Sequence, residues 1–141
     1  MRFMVLVKAR PETEVEVPDK EAFAEMGRFN MEMAKAGMIL AMDGLHPSSK
    51  GARISFSGGT KAVTDGPFTE TKELVAGFWI IQAKSKEDAI AWMSRAPFED
   101  GQLEIRQLFD ASDFPPGYIE QEKHKELYSL IDRANAEAKS S

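Results

Sequence analysis

The connection DGPFTETKE, residues 65–73, concentrates acidic and basic side chains beside an aromatic ring. Asp65 stands directly before the Gly66-Pro67 corner, where a carboxylate facing a cavity could act as a general base. The alternative interpretation is structural: the carboxylate accepts hydrogen bonds from the turn's backbone NH groups, Pro67 fixes the chain, and Phe68 fills the core. The sequence leaves both interpretations of Asp65 open.

His46 is the second candidate for proton transfer, because histidine is the side chain that ordinarily changes charge near neutral pH. It follows Asp43-Gly44-Leu45 at the end of a predicted strand, on the same side of the sheet as the 65–73 connection if the predicted hairpin forms. We therefore predict catalytic roles for Asp65 and His46. The alternative is that His46 is an exposed loop residue, as we expect of His124.

Ligand-binding roles are predicted for residues that could recognise an anion or line the same cavity. Arg53 and Arg106 lie within predicted strands, and a guanidinium that points inward can hold a carboxylate or phosphate. Arg106 is favoured because we expect the last strand to be interior, although an internal ion pair with the neighbours of Glu104 or with Glu70 is the alternative. The other predicted ligand contacts come from the connection itself: Phe68, Glu70, Lys72 and Glu73.

A metal site built from His46, Asp65 and Glu70 has no support in their spacing, so none is predicted. The sequence contains no phosphate-binding glycine loop, nucleophile elbow or dinucleotide fingerprint. The cofactor is therefore left unknown. A small-molecule ligand is the partner that the candidate residues suggest.

Alternation and helical periodicity predict the elements that position these residues. A buried strand is expected at 38–42, and the nearly continuous apolar run at 75–83 is expected to be a central strand covered on both faces. Asp19 and Ser85 are predicted helix N-caps, and Gly37 a helix C-terminal residue. In chain order the predicted elements are a strand at 2–8, a helix at 19–37, a strand at 38–42, a hairpin turning at Gly58-Gly59, a strand at 75–83, a helix from 85 to before Pro97, a strand at 102–110 and a charged helix at 119–138.

This order predicts an α+β fold: a ferredoxin-like split βαβ sheet with an inserted β-hairpin and a C-terminal helix. Helices would cover one face of the sheet and leave the other bare. Apolar residues occur on both faces of the first strand, where Phe3 and Val5 alternate with Met4 and Leu6. We therefore expect a homodimer in which a second copy covers the bare face.

Composition and charge limit which kinds of site, partner and location are expected for this protein. The chain has 141 residues, a formal net charge of -5 and no cysteine, which excludes disulfides and thiolate metal sites. Its basic residues are scattered, so direct nucleic-acid binding is not expected. No apolar run is long enough to cross a bilayer, and no signal peptide is recognisable, so we expect a cytoplasmic protein.

Three segments, DGPFTETKELVAGFWII, GTKAV and LEIRQLFDASDF, resemble the YCII-related superfamily, in particular its DGPF group. The resemblance implies a dimeric α/β barrel with a cleft near the DGPF loop, but no established reaction. Asp65 matches the motif aspartate, which in the wider superfamily is suspected of acid-base work with a histidine. Thr69 and Ala76 depart from the usual alanine and glycine. We take residues 1–114 as the YCII-related domain and 115–141 as its helical extension.

Two functional hypotheses follow. The first is a small-molecule enzyme that uses general acid-base catalysis in a cleft beside the DGPF loop. The second is a non-catalytic ligand-binding or regulatory protein acting with an extracytoplasmic-function sigma factor, because DGPF proteins are often encoded beside such factors. The charged C-terminal helix would then present the docking face.

Overall fold

The structure, a computed structural model, describes residues 1–15 and 17–140. Contacts within the chain define two compact units, Met1–Leu108 and a second that begins at Phe109. The elements of the first unit are β1 (Arg2–Ala9), α1 (Lys20–Lys35), β2 (Ile39–Gly44), β3 (Ala52–Ser57), β4 (Thr60–Asp65), β5 (Leu74–Gln82), α2 (Lys86–Met93) and β6 (Gln102–Gln107). The second unit contains α3 (Gln121–Ser140). The predicted mixed α+β class with a C-terminal helix is confirmed.

Four strands form one antiparallel sheet in the order β2-β5-β1-β6. Val5 of β1 lies between Trp79 of β5 and Ile105 of β6, which fixes the register at the centre of the sheet. This is the strand order of the split βαβ plan. Both β2 and β6 are edge strands, so the interior position expected for the last strand is not found in the sheet of this chain.

The inserted segment forms the predicted hairpin, in which β3 and β4 make a separate two-stranded sheet. Gly58 and Gly59 turn the chain with φ values of 54° and 84°. A turn with two positive φ angles matches the twist of paired strands, and glycine adopts it without a steric penalty. The hairpin pairs Ile54 with Val63 and brings Ala52 opposite Asp65.

Local sequence signals set the helix ends. The Asp19 carboxylate accepts a hydrogen bond from the backbone NH of Ala22 at 3.3 Å, and Gly37 follows α1 with a φ of 74°. The Ser85 hydroxyl accepts from the NH of Asp88 at 3.0 Å and caps α2. All three predicted capping residues are therefore confirmed.

The core lies between one face of the sheet and the two helices of the first unit. The Phe29 and Trp79 rings meet edge to face with centroids 6.4 Å apart. The indole NH of Trp79 donates to the side-chain oxygen of Asn30 at 2.9 Å, so its polar atom is satisfied within an apolar cluster. The buried members of this cluster are Phe3, Val5, Phe29, Met33, Met38, Trp79, Ile81, Ala89 and Met93.

The opposite face of the sheet is less covered. Met4 and Leu6 of β1 and Phe78 and Ile80 of β5 are all half-buried. Strand β5 is central, as predicted, but it is not buried on both faces. The prediction of a buried strand at 38–42 is wrong for most of β2, since only one neighbour flanks this strand and its residues after Ile39 are exposed.

Candidate functional site

The DGPF loop, which is the connection at residues 65–73, packs against the turn at Ser48. A Cβ atom added to Gly66 would lie 1.7 Å from the carbonyl oxygen of Ser48, so only glycine fits this close approach. The NH of Gly66 donates to the carbonyl of Gly51 at 2.9 Å, and the Gly66-Pro67 peptide bond is cis. The glycine of the motif thus lets two backbone segments touch beside the site.

Ser48 itself is held by a carboxylate from the connection that follows β1. Glu14 accepts hydrogen bonds from both the backbone NH and the hydroxyl of Ser48, each at 2.6 Å. The Ser48 hydroxyl also accepts from the NH of Phe68 at 3.3 Å. One serine therefore links the DGPF loop to a distant acidic residue.

Arg53 of β3 fixes the far side of the loop. Its guanidinium carbon lies 3.9 Å from the centre of the Phe68 ring, a cation–π geometry. Its Nη1 donates to the Thr71 hydroxyl at 2.8 Å and to Glu70 at 3.4 Å. Glu70, considered in the sequence analysis as a partner of Arg106, pairs with Arg53 instead. Phe68 is buried as predicted, but outside the main core cluster.

A cavity of about 400 Å³ opens beside this arrangement. Four of the predicted site residues line it: His46, Arg53, Phe68 and Glu73. We call it the His46 cavity. His46 also lines an adjoining cavity of about 360 Å³ with Phe23 and Leu45. An imidazole, a guanidinium and a carboxylate on one cavity could bind an anionic molecule and transfer a proton to or from it.

Asp65 lies apart from this group. It is exposed at the end of β4 and lines none of the cavities described here. Under the structural interpretation its carboxylate accepts from NH groups of the following turn, but three of these have other acceptors: Gly66 donates to Gly51, Phe68 to Ser48 and Thr71 to the Phe68 carbonyl. The catalytic role of Asp65 stays a prediction.

Arg106 and Lys72 are placed on other surfaces. Arg106 is exposed on edge strand β6, opposite Met4, and does not line the His46 cavity. Lys72 lines a larger cavity of about 700 Å³, together with Glu73 and Lys8. Glu73 is thus the predicted residue shared by the two cavities.

Three residues of this region were missed by sequence reasoning: Lys8, Glu14 and Ser48. The Lys8 ammonium lies 3.9 Å from a Glu73 carboxylate oxygen and 3.8 Å from one of Glu104, with its side chain only 18% exposed. Alternation along β1 places Lys8 on the same face as Met4 and Leu6, and that signal could have identified it. Glu14 and Ser48 are 34 residues apart, and no local pattern relates them.

Among the described residues, no helix is both long and apolar enough to span a membrane. The histidine and acidic side chains of the same residues do not gather in a group of three or more that could hold a metal ion.

An antiparallel four-stranded sheet backed by two helices, with a polar cavity beside a hairpin-bounded loop, defines a small α+β protein with a ligand-sized cleft. Residues 1–112 match the model of the YCII-related domain, and the chain belongs to that family. This confirms the resemblance at the level of the superfamily. Over 93 residues the chain is 30% identical to an uncharacterized protein of Rhizobium meliloti (strain 1021), covering 64% of this chain and 75% of that protein.

Proposed function

We propose that this protein is a small-molecule enzyme that uses general acid-base catalysis in the His46 cavity. The observation that supports this most directly is that His46, Arg53 and Glu73 line one cavity of about 400 Å³. That volume lies within the usual range for small-molecule sites. His46 would transfer the proton, since imidazole exchanges protons readily near neutral pH.

Arg53 and Glu73 would have distinct roles in this proposal. The contacts of Arg53 with Thr71 and Glu70 are both made by Nη1, and a guanidinium has donors on its other nitrogens for an anionic substrate group. Glu73 would orient the imidazole or the substrate. Asp65 is retained as a further candidate through its match to the motif aspartate.

The proposal is tested by screening turnover of a metabolite panel with the wild-type protein and the His46→Asn variant, with product formation followed by mass spectrometry. We expect His46→Asn to lower turnover at least about 100-fold, the usual scale of a lost general acid or base. His124→Asn on α3 is the matched control and should keep full turnover. A His46→Asn variant as active as the wild type would show that His46 does not transfer the proton.

Asp65→Asn separates the two interpretations of the motif aspartate in the same screen. A catalytic carboxylate predicts loss of turnover with an unchanged melting temperature. A structural carboxylate predicts a lower melting temperature. Retention of both turnover and stability would remove Asp65 from the site.

A second copy of the chain is proposed to cover the open face of the sheet and so form a dimeric α/β barrel. The half-buried apolar side chains Met4, Leu6, Phe78 and Ile80 support this, because a second sheet packed on them would remove their apolar surface from water.

We propose the cytoplasm as the location of the protein. The absence of cysteine fits this reducing compartment.

A regulatory protein that acts with an extracytoplasmic-function sigma factor is the second candidate function. It is favoured by the apolar stripe of α3, where Leu127, Leu130 and Ile131 are 54%, 49% and 42% exposed. Amphipathic helices commonly bind partners through such stripes. Fluorescence anisotropy with a purified sigma factor from the same organism tests this, and Leu127→Glu should abolish the binding.

A further inference from the structure

Lys8 is a charged residue near the end of a largely apolar strand. It lies between Val75 of β5 and Gln102 of β6, and its side chain is 18% exposed. Holding an ammonium group in such partly desolvated surroundings is costly unless opposite charges compensate it. The ammonium of Lys8 therefore requires negative charge close by.

Two carboxylates supply the compensating charge but not close hydrogen bonds. The Nζ atom of Lys8 is 3.9 Å from Glu73 Oε2 and 3.8 Å from Glu104 Oε1, whereas an N–H···O hydrogen bond spans about 2.7 to 3.2 Å. An ammonium has three donors. Neither contact is therefore a hydrogen bond, and the donors of the Lys8 ammonium can reach a further acceptor on the cavity side of the two carboxylates.

Lys8 lines the cavity of about 700 Å³ described above, and we call it the Lys8 cavity. Arg10 and Lys72 add two more cations to its lining, against the carboxylates of Glu73 and Asp100. Val7, Ala76 and Phe98 give it an apolar wall. Glu104 and Glu12 pair with Lys8 and Arg10 and balance these charges further, so the feature that suits a molecule with one anionic end and a carbon skeleton is the Lys8 ammonium beside an aromatic wall.

We propose that the Lys8 cavity binds a small organic acid, with the acid's carboxylate accepting hydrogen bonds from the Lys8 ammonium and its carbon skeleton packed against Phe98. This site is distinct from the His46 cavity, with which it shares Glu73 in its lining. Its occupation does not require catalysis at His46.

A monocarboxylate fits these surroundings better than a phosphate does. A ligand oxygen bonded to Lys8 would lie close to the carboxylates of Glu73 and Glu104, and like charges at short range repel. The second negative charge of a phosphate would add repulsion from two carboxylates against attraction to one ammonium. The same two carboxylates that balance Lys8 therefore select for a singly charged acid.

The test is isothermal titration calorimetry at low, fixed ionic strength with hexanoate, benzoate and phenylacetate, their primary amides and inorganic phosphate. We expect at least one acid to bind with a Kd below about 1 mM, and its amide and phosphate to bind at least about tenfold more weakly. Lys8→Met keeps the apolar stem and should weaken acid binding at least about tenfold. Lys84→Met, a lysine outside the cavity lining, should leave it unchanged.

The proposal is overturned if no acid binds at about 10 mM, if the amides bind equally well, or if Lys8→Met binds as the wild type does. If Lys8→Met does not fold, the Glu73→Gln variant tests the proposal instead, because its effect on acid binding should be opposite to that of Lys8→Met. Removal of one repelling carboxylate should tighten acid binding severalfold, and unchanged or weaker binding in that variant also contradicts the proposal. His46→Asn should retain acid binding, which separates this inference from the proposed catalysis.

Discussion

Both oxygens of the Glu14 carboxylate bind Ser48. One accepts a hydrogen bond from the backbone NH and the other from the hydroxyl, each at 2.6 Å. Ser48 in turn accepts a hydrogen bond from the NH of Phe68 at 3.3 Å. The connection after β1 is thus coupled to the DGPF loop through one turn. Glu14 and Ser48 also line the His46 cavity, so this contact shapes the candidate site.

Replacing Glu14 by glutamine is expected to lower the free energy of unfolding by about 1 to 2 kcal/mol, because hydrogen bonds to a charged acceptor are stronger than neutral ones. Urea denaturation followed by circular dichroism measures this change. Glu25→Gln on α1 is the control and should alter stability by no more than about 0.5 kcal/mol. Equal effects of the two substitutions would show that the Glu14 contact contributes no net stability.

Two glycine-to-alanine substitutions should have opposite effects. At Gly66 the added Cβ would lie 1.7 Å from the Ser48 carbonyl oxygen, so the loop must shift, and we expect a loss of about 1 to 3 kcal/mol. At Gly27, within α1, an added Cβ meets nothing within 4 Å. Alanine there should stabilise the protein by about 0.5 to 1 kcal/mol through its higher helix propensity.

Thermal and urea denaturation of both glycine variants, prepared side by side, checks this pair. A Gly66→Ala protein as stable as the wild type would contradict the close backbone contact between Gly66 and Ser48. Because the two substitutions add the same methyl group, general effects of alanine cannot explain opposite signs.

Arg53 is expected to order the loop more than it stabilises the whole fold. Its side chain is 41% exposed, so its contacts with Glu70 and the Phe68 ring should contribute no more than about 1 kcal/mol together. Arg53→Met should therefore leave the melting temperature nearly unchanged while amide exchange at Thr71 becomes faster. Hydrogen–deuterium exchange measures this, with Lys61→Met on the same hairpin as control. Unchanged exchange at Thr71 would contradict an ordering role.

The elements that local chemistry specifies are the ones the sequence predicted well. Asp19, Ser85 and Gly37 mark helix ends through bonds or angles within a few residues, and Gly58-Gly59 marks the hairpin in the same way. Alternation along β1 also divided its side chains correctly between two faces, although it did not indicate which face the helices cover. Signals of this kind need no knowledge of the tertiary structure.

Contacts between distant segments account for what the sequence did not predict. The apolar residues of β2 suggested a buried strand, yet its burial depends on having a neighbour on each side, and β2 has one. The pairing of Glu70 with Arg53 in place of Arg106 depends on how the hairpin meets the loop. Lys8, Glu73 and Glu104 meet only once three strands are in register.

The proposed dimer predicts that the two faces of the sheet respond differently to an added charge. Ile80 lies on the open face, whereas Ile90 is 45% exposed on α2, which covers the other face. Ile80→Glu would place a carboxylate in the apolar interface and should convert a dimer to a monomer, because burying an unpaired charge is costly. Ile90→Glu, which adds the same charge on the helix side, should leave the dimer intact.

Sedimentation velocity at micromolar protein concentration measures both variants against the wild type. Circular dichroism verifies that each variant is folded, so that loss of the dimer is not confused with unfolding. A wild-type protein that sediments as a monomer would contradict the second copy on the sheet. A dimer that survives Ile80→Glu but is lost in Ile90→Glu would move the interface to the helical side, because the residue whose charge disrupts association lies within the contact.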